Sequence, residues 1–244
     1  MCMYSSVCKY TSKEEMSKAA AESIANLICR IAREQVFVTL VLSGGNSPNG
    51  IYSLLAKEPL VSKIPWEIVY IFWGDERCVP ADHPENNYKN AYEAMIKHIP
   101  IPARNVCRVK TEGFTPDQVA EDYEKKIHLC FDRHGIHTDI PVFDIILLGV
   151  GPDGHTASLF SGSPALDETG KAVVSVDAPP TYTIINRVTM TLPVLNAARH
   201  VYFVVAGTDK EPVVSKILSC PAYIRSIYPA ARVISPPDIQ WFIA

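Results

Sequence analysis

The chain has 244 residues, 48% apolar and 20% charged, and its 23 Lys and Arg against 26 Asp and Glu leave a formal charge of −3. This composition suits a folded protein with a sizeable core, and the absence of a basic block gives no support to a nucleic-acid-binding surface. Pro (19) and Gly (12) together stay well below the share of a low-complexity chain, no stretch approaches the ~18 apolar residues of a membrane span, and the opening MCMYSSVCKY lacks the apolar segment of a secretory signal. The seven cysteines (Cys2, Cys8, Cys29, Cys78, Cys107, Cys130 and Cys220) are odd in number and contain no C-x-x-C pair. That predicts free thiols in a reducing cytosol rather than a disulfide framework or a zinc ribbon.

Ser12-Lys13-Glu14-Glu15 fits a capping box, and after it Met16, Ala19, Ala20, Ile24, Leu27, Ile28 and Ile31 recur at helical spacing. The β-branched run Val36 to Leu42 predicts a strand buried on both faces. It ends in Ser43-Gly44-Gly45-Asn46-Ser47-Pro48, followed by a helix over 49–57. The pattern repeats: a strand from Glu67 to Trp73 runs into a charged turn, Gly74-Asp75-Glu76-Arg77, and a helix covers 87–98. Thr115-Pro116-Asp117-Gln118 combines a capping box with Pro at the first helical position and predicts a helix to about His134. Phe143 to Leu148 predicts another buried strand, running into Gly149-Val150-Gly151-Pro152-Asp153-Gly154-His155. Further strands are expected at 171–176, 186–192 and 201–206, with a helix at about 209–219.

This alternation predicts an α/β fold: a mainly parallel, Rossmann-like sheet with helices on both faces, as one domain over residues 1–244. Ligands bind such sheets outside the carboxyl ends of the strands. All three polar, Gly-containing segments follow strands directly, so they are expected to converge on one crevice. In Ser43–Pro48 the two glycines allow successive N–H groups to point inward, and a helix starting near Pro48 adds its positive end, which suits a phosphate as well as a plain tight turn. Arg77 has the chemistry to pair a phosphate or carboxylate bidentately, with Asp75 positioning it or contacting sugar hydroxyls. The segment 149–156 is the most informative, with three glycines, an acid and a histidine in eight residues. It also matches G-x-G-x-x-G after a strand, and Asp177 follows Gly154 by 23 residues. That mimics a dinucleotide fingerprint, but Pro152 and His155 fit a rigid turn presenting polar side chains better. Arg187, opening an alternating strand, and Lys210, following strand 201–206, are within reach of the same sheet edge.

SGGNSP at 43–48, WGDERCVP at 73–80, ENNY at 85–88, GVGPDGHTASLFSG at 149–162, RVTMTL at 187–192 and WF at 241–242 closely resemble the 6-phosphogluconolactonase family, in order and across nearly the whole chain. The resemblance implies a glucosamine-6-phosphate deaminase-like fold and hydrolysis of 6-phospho-D-glucono-1,5-lactone to 6-phospho-D-gluconate. That reaction is the second step of the oxidative pentose phosphate pathway, in the cytoplasm. It implies His155 as the base that activates water, with no redox cofactor and no obligatory metal. Asp153 either orients the imidazole or holds sugar hydroxyls. The phosphate would sit on the Ser43, Gly44, Gly45 and Asn46 backbone with Arg77, and with Arg187 and Lys210 within reach. The implied partner is a small sugar phosphate, with neither nucleic acid nor membrane.

Two rivals remain. The deaminases resemble the chain in the phosphate loop, in Asp75-Glu76 and in Gly154-His155, but carry a glutamate five residues after the histidine, where this chain has Phe160. They usually carry an aromatic residue where Arg77 stands. A non-catalytic sugar-phosphate sensor would be expected to bring a DNA-binding module, and no basic helix-turn-helix is visible.

Overall fold

The computed structural model describes residues 6–219 and 223–244; Cys2 and Cys220 lie outside the described residues. The strands are β1 (Ser6–Lys9), β2 (Val38–Leu42), β3 (Val69–Trp73), β4 (Asp75–Arg77), β5 (Ile145–Leu148), β6 (Val173–Asp177), β7 (Asn186–Met190), β8 (His200–Val205) and β9 (Asp238–Ile243). Six form one sheet in the order β1-β9-β8-β5-β2-β3, with every neighbouring pair parallel. The other three form an antiparallel sheet in the order β4-β7-β6. The helices are α1 (Lys13–Ile31), α2 (Asn49–Leu55), α3 (Leu60–Lys63), α4 (Asn87–Ala94), α5 (Pro116–Asp132), α6 (Leu192–Ala197), α7 (Glu211–Leu218) and α8 (Ile224–Ile227). Among the described residues, no helix is long and apolar enough to cross a membrane.

β2 and β5 are buried at every position. Successive side chains point to opposite faces of a sheet, so both faces are covered, and an unbroken apolar run is the sequence such a strand needs. The apolar stripe of α1 is buried as its spacing predicts. Phe72 of β3, Phe131 of α5 and Phe143 pack as a cluster of edge-on and tilted rings, while Phe203 of β8 stacks on Trp241 of β9 at 4.1 Å. The capping box at Thr115 forms in full. The one at Ser12 forms by half. The Ser12 hydroxyl accepts from the N–H of Glu15, but the Glu15 carboxylate turns to Thr11, whose N–H and hydroxyl both donate to it, at 3.2 and 2.6 Å. Two donors at Thr11 outcompete the single N–H of Ser12.

The expected turn at Asp75-Glu76-Arg77 is instead β4, paired antiparallel with β7 so that Arg77 lies opposite Arg187. Gly74 is the hinge: its N–H donates to Leu42 of β2, and its carbonyl accepts from Met190 of β7. The chain thus passes from the parallel sheet into the antiparallel one without a loop. Three consecutive charged residues can join a buried sheet because both carboxylates accept hydrogen bonds and Arg77 pairs with Glu85, as described below. Other boundaries shift for local reasons. Val36 is exposed and outside β2. β7 stops at Met190 because Thr191 takes the N-cap position of α6, with Pro193 in its first turn. The helix expected over 87–98 breaks at Met95 into α4 and a 3-10 turn, Ile96–His98.

The strand order fixes where a ligand can sit. From β2 the chain steps outward to β3, then returns on the opposite side of β2 with β5 and continues outward to β8. The winding therefore reverses between β2 and β5, and a crevice opens at their carboxyl ends. Ser43 follows β2 and Gly149 follows β5, and the two loops are so close that a Cβ on Gly149 would lie 3.6 Å from Ser43 Oγ.

Candidate active site

A cavity of about 510 Å³ lies at this crevice. Ser43, Gly44, Gly45, Asn46, Asp75, Arg77, Asp153, His155, Arg187 and Lys210, every site residue expected from the sequence, line it together. They arrive from the ends of β2, β5 and β8 and from the antiparallel pair β4–β7.

The base end is built by the turn after β5. The Gly151 N–H donates to the His155 carbonyl, and the Gly154 N–H donates to the Gly151 carbonyl, closing the turn. A Cβ on Gly151 would lie 2.1 Å from the His155 ring, so glycine there is what lets the imidazole fold back over the turn. His155 Nδ1 lies 2.5 Å from Asp153 Oδ1, which also accepts the His155 backbone N–H at 3.2 Å. A carboxylate only accepts, so Nδ1 carries the hydrogen and the lone pair is on Nε2. Burial alone would raise the Asp153 carboxyl, but the hydrogen bond and charge of His155 outweigh it and hold the carboxyl below its ordinary value. Phe160 packs on the imidazole at 4.6 Å between ring centres. No helix follows Gly154, and Asp177 is not among the cavity's lining residues. The G-x-G-x-x-G match therefore lacks the helix N-terminus and acidic partner that dinucleotide binding uses.

The anion end is built by the turn after β2. A Cβ on Gly44 would lie 2.1 Å from Asn87 Oδ1, so any larger residue there would displace the Asn87 amide that donates to the Asp75 carbonyl. The N–H groups of Gly44, Gly45 and Asn46 have no protein acceptor among the described residues. Ser43 departs from expectation: its N–H donates to Tyr52 Oη, whose hydroxyl donates back to the Ser43 carbonyl at 2.7 Å. That N–H is consumed in holding the loop to α2 and is not available to a ligand.

Three cations surround this loop. Arg187 is buried, with Nε donating to the Ile184 carbonyl at 2.9 Å. Burial, with the charge of Arg77 alongside, lowers its pKa from the ordinary arginine value. Among the described residues neither Arg187 nor Lys210 has a carboxylate within ion-pair distance, whereas Arg77 is tied to the Glu85 side chain at 3.2 Å and to its carbonyl at 2.8 Å. Asp75 is buried between the two ends. Its Oδ2 accepts from Ser158 Oγ at 2.6 Å, and its backbone carbonyl accepts from Asn87. Glu76 points away from the cavity and accepts backbone N–H bonds from Arg77, Asn87 and Tyr88. Among the described residues no cluster of three or more His, Cys, Asp or Glu side chains is spaced to hold a metal ion.

The sequence did not point to Tyr182, which lines the cavity from the loop between β6 and β7, with its hydroxyl 3.2 Å from His155 Nδ1. Nothing in Pro179-Pro180-Thr181-Tyr182 marks it, because its position depends on where the β6–β7 hairpin meets the 151–155 turn. Tyr52, Asn87 and Ser158, which hold the loops, were missed for the same reason.

A family model for glucosamine-6-phosphate isomerases/6-phosphogluconolactonase matches residues 11–242. The 6-phosphogluconolactonase of Synechocystis sp. is 36% identical over 95% of this chain and 92% of its own. The human 6-phosphogluconolactonase is 38% identical over 86% of this chain and 80% of its own. The solved structure of 6-phosphogluconolactonase from Trypanosoma cruzi superposes with a TM-score of 0.86 at 33% identity, covering 100% of this chain and 95% of that one. A monomeric glucosamine-6-phosphate deaminase, at 20% identity and a TM-score of 0.78 over 98% of this chain and 96% of that one, shares the fold. The chain belongs to the glucosamine-6-phosphate isomerase/6-phosphogluconolactonase family.

Proposed function

We propose that this protein hydrolyses 6-phospho-D-glucono-1,5-lactone to 6-phospho-D-gluconate, acting as one domain in the cytosol, with His155 as the general base. The observation that carries this reading is the single cavity with an Asp153-oriented imidazole at one end and, at the other, Arg187 and Lys210, which among the described residues form no ion pair. The phosphate would rest on the N–H groups of Gly44, Gly45 and Asn46, neutralised by Arg187 and Lys210. Arg77, already engaged by Glu85, supplies positive potential beside them. Anchoring the far end in this way sets C1 against His155 Nε2, which removes much of the entropic barrier to attack.

Nε2 takes a proton from water as the water oxygen bonds to C1. The C1–ring-oxygen bond then breaks, and the proton returns to that oxygen as the ring opens. Asp153 stays ionised, keeps Nδ1–H in place and stabilises the imidazolium that forms in between. Phe160 favours this reaction over amino-sugar isomerisation. Its apolar ring packs on the imidazole at the position where the resemblance places a ring-opening glutamate in the deaminases.

His155→Ala is expected to lower kcat about 10²- to 10⁴-fold, measured as acid release from freshly prepared lactone after subtraction of spontaneous hydrolysis. Near-normal turnover would refute the assignment, and ammonia release from glucosamine 6-phosphate would point to the deaminase reaction instead.

A further inference from the structure

We propose that Tyr182 is a positioning residue for this reaction: its hydroxyl locks the Asp153 carboxylate that orients His155, and its ring braces Arg187 at the anion end. The proposal rests on His155 being the base. Tyr182 belongs to the loop joining β6 and β7, which is closed by the Ala178 N–H donating to the Ile185 carbonyl and the Tyr182 N–H donating to the Pro179 carbonyl. Its neighbours Thr181 and Thr183 are exposed, and Tyr182 turns inward to line the cavity.

The hydroxyl lies 3.3 Å from Asp153 Oδ2 and 3.2 Å from His155 Nδ1. The hydrogen on Nδ1 already points at Asp153 Oδ1, 2.5 Å away, so the phenol hydrogen has one acceptor left, Oδ2. Each carboxylate oxygen is then claimed from a different side, Oδ1 by the histidine and Oδ2 by the tyrosine, and the carboxylate cannot rotate. Burial and the charge of Asp153 push the Tyr182 hydroxyl up to about 12, so it remains a donor through neutral pH.

The ring acts separately from the hydroxyl. It meets the imidazole edge-on at 5.6 Å and lies against Phe160 at 5.3 Å. The Arg187 guanidinium carbon sits over it at 5.6 Å, within the range of a cation–π contact. The same loop supplies the Ile184 carbonyl that holds Arg187 Nε. One short loop therefore touches the base through a hydroxyl and the cation through a ring and a carbonyl, and it sets the distance between them. That distance is what a substrate with its ester carbon and phosphate at opposite ends must match.

The two halves are separable by substitution. Tyr182→Phe keeps the ring and is expected to lower kcat about three- to tenfold, the effect of one hydrogen bond, with KM within twofold and the thermal midpoint lowered by no more than about 6 °C. Tyr182→Ala is expected to show the same kcat loss and a KM for the phosphorylated lactone raised about tenfold. In an Asp153→Ala background, Tyr182→Phe is expected to add no further loss, because the hydroxyl acts through that carboxylate. Wild-type kcat in Tyr182→Phe overturns the role of the hydroxyl. Losses that multiply in the double variant overturn its action through Asp153. An unchanged KM in Tyr182→Ala overturns the bracing of Arg187. His155→Ala, run in parallel, separates the two readings: if it retains turnover the base assignment has failed, whereas an inactive His155→Ala beside a fully active Tyr182→Phe refutes the role of Tyr182 alone.

Discussion

Glu76 shows how a charged residue is made to serve the site from behind. Neighbours on a strand face opposite ways, so with Glu76 turned into the protein, Asp75 and Arg77 are presented to the cavity. The Glu76 carboxyl is fully buried and accepts backbone N–H bonds from Asn87 at 2.7 Å, Arg77 at 2.8 Å and Tyr88 at 2.9 Å, which ties β4 to the start of α4. Burial favours the neutral acid, the three donors favour the anion, and burial prevails, pushing the carboxyl up to about 7. In the unfolded chain a glutamic acid titrates near ~4.3. Between those values the folded protein holds a proton that the unfolded chain has released. The contribution of this group to stability is therefore full on the acid side and is lost as pH rises through the window, at up to ~1.4 kcal/mol per pH unit. The urea midpoint is expected to fall between pH 5 and pH 8, and Glu76→Gln, neutral throughout, is expected to flatten that fall while lowering stability overall, since its amide would face one of the three donors. A slope equally steep in Glu76→Gln would show that the proton is held elsewhere.

Among the elements, α5 is the one whose sequence and structure agree most closely, and it supports the site without touching it. Tyr123 from its middle grips the end of β3, accepting from the Trp73 N–H at 2.8 Å and donating to the Trp73 carbonyl at 2.9 Å, just before the Gly74 hinge. The helix starts where it does because Thr115 and Gln118 satisfy each other's backbone N–H groups. Thr115→Ala removes one of those bonds and is expected to cost about 0.5–2 kcal/mol in urea unfolding with kcat unchanged; a stability loss outside that range, or a loss of turnover in the folded enzyme, would contradict the supporting role. Elements of this kind were legible because their signal is local: a cap three residues from its partner in α5, an unbroken apolar run in β2 and β5. The elements that were not legible are made by distant partners. β4 reads as a charged turn until β7 lies beside it, and β1 and β9 are short strands whose register is set by pairing with each other and with β8. The same division holds within the site. Gly44, Gly151 and His155 stand in compact motifs, whereas the commitment of the Ser43 N–H to Tyr52, and the placement of Tyr182, depend on how separate turns dock.

At the scale of the whole molecule, the cavity lies where loops from distant parts of the chain meet. The turn after β2, the turn after β5, the Thr208–Lys210 turn after β8 and the antiparallel sheet each contribute one wall. Among the described residues Arg187 and Lys210 have no carboxylate within ion-pair distance, although the charges of Asp75 and Glu85 act on Arg187 from further off, and Arg77 and Arg187 face each other across β4 and β7. A dianion bound among these cations is held by all three, and its binding is expected to report on global stability. With 6-phospho-D-gluconate at about 100 times its Kd, linkage adds about 2.7 kcal/mol, which for a chain of this size corresponds to a thermal midpoint raised by roughly 5–10 °C. Inorganic phosphate is expected to raise it less, because it spans only the anion end, and gluconate lacking the phosphate to leave it nearly unchanged. In Arg187→Ala or Lys210→Ala the comparison that matters is the shift, not the midpoint, since removing a buried arginine alters the apo protein as well. The shift with either phosphorylated ligand is expected to shrink strongly in both variants. A full shift retained in both would mean that the phosphate binds elsewhere, and equal shifts with gluconate and 6-phosphogluconate would mean that these cations do not recognise the phosphate at all.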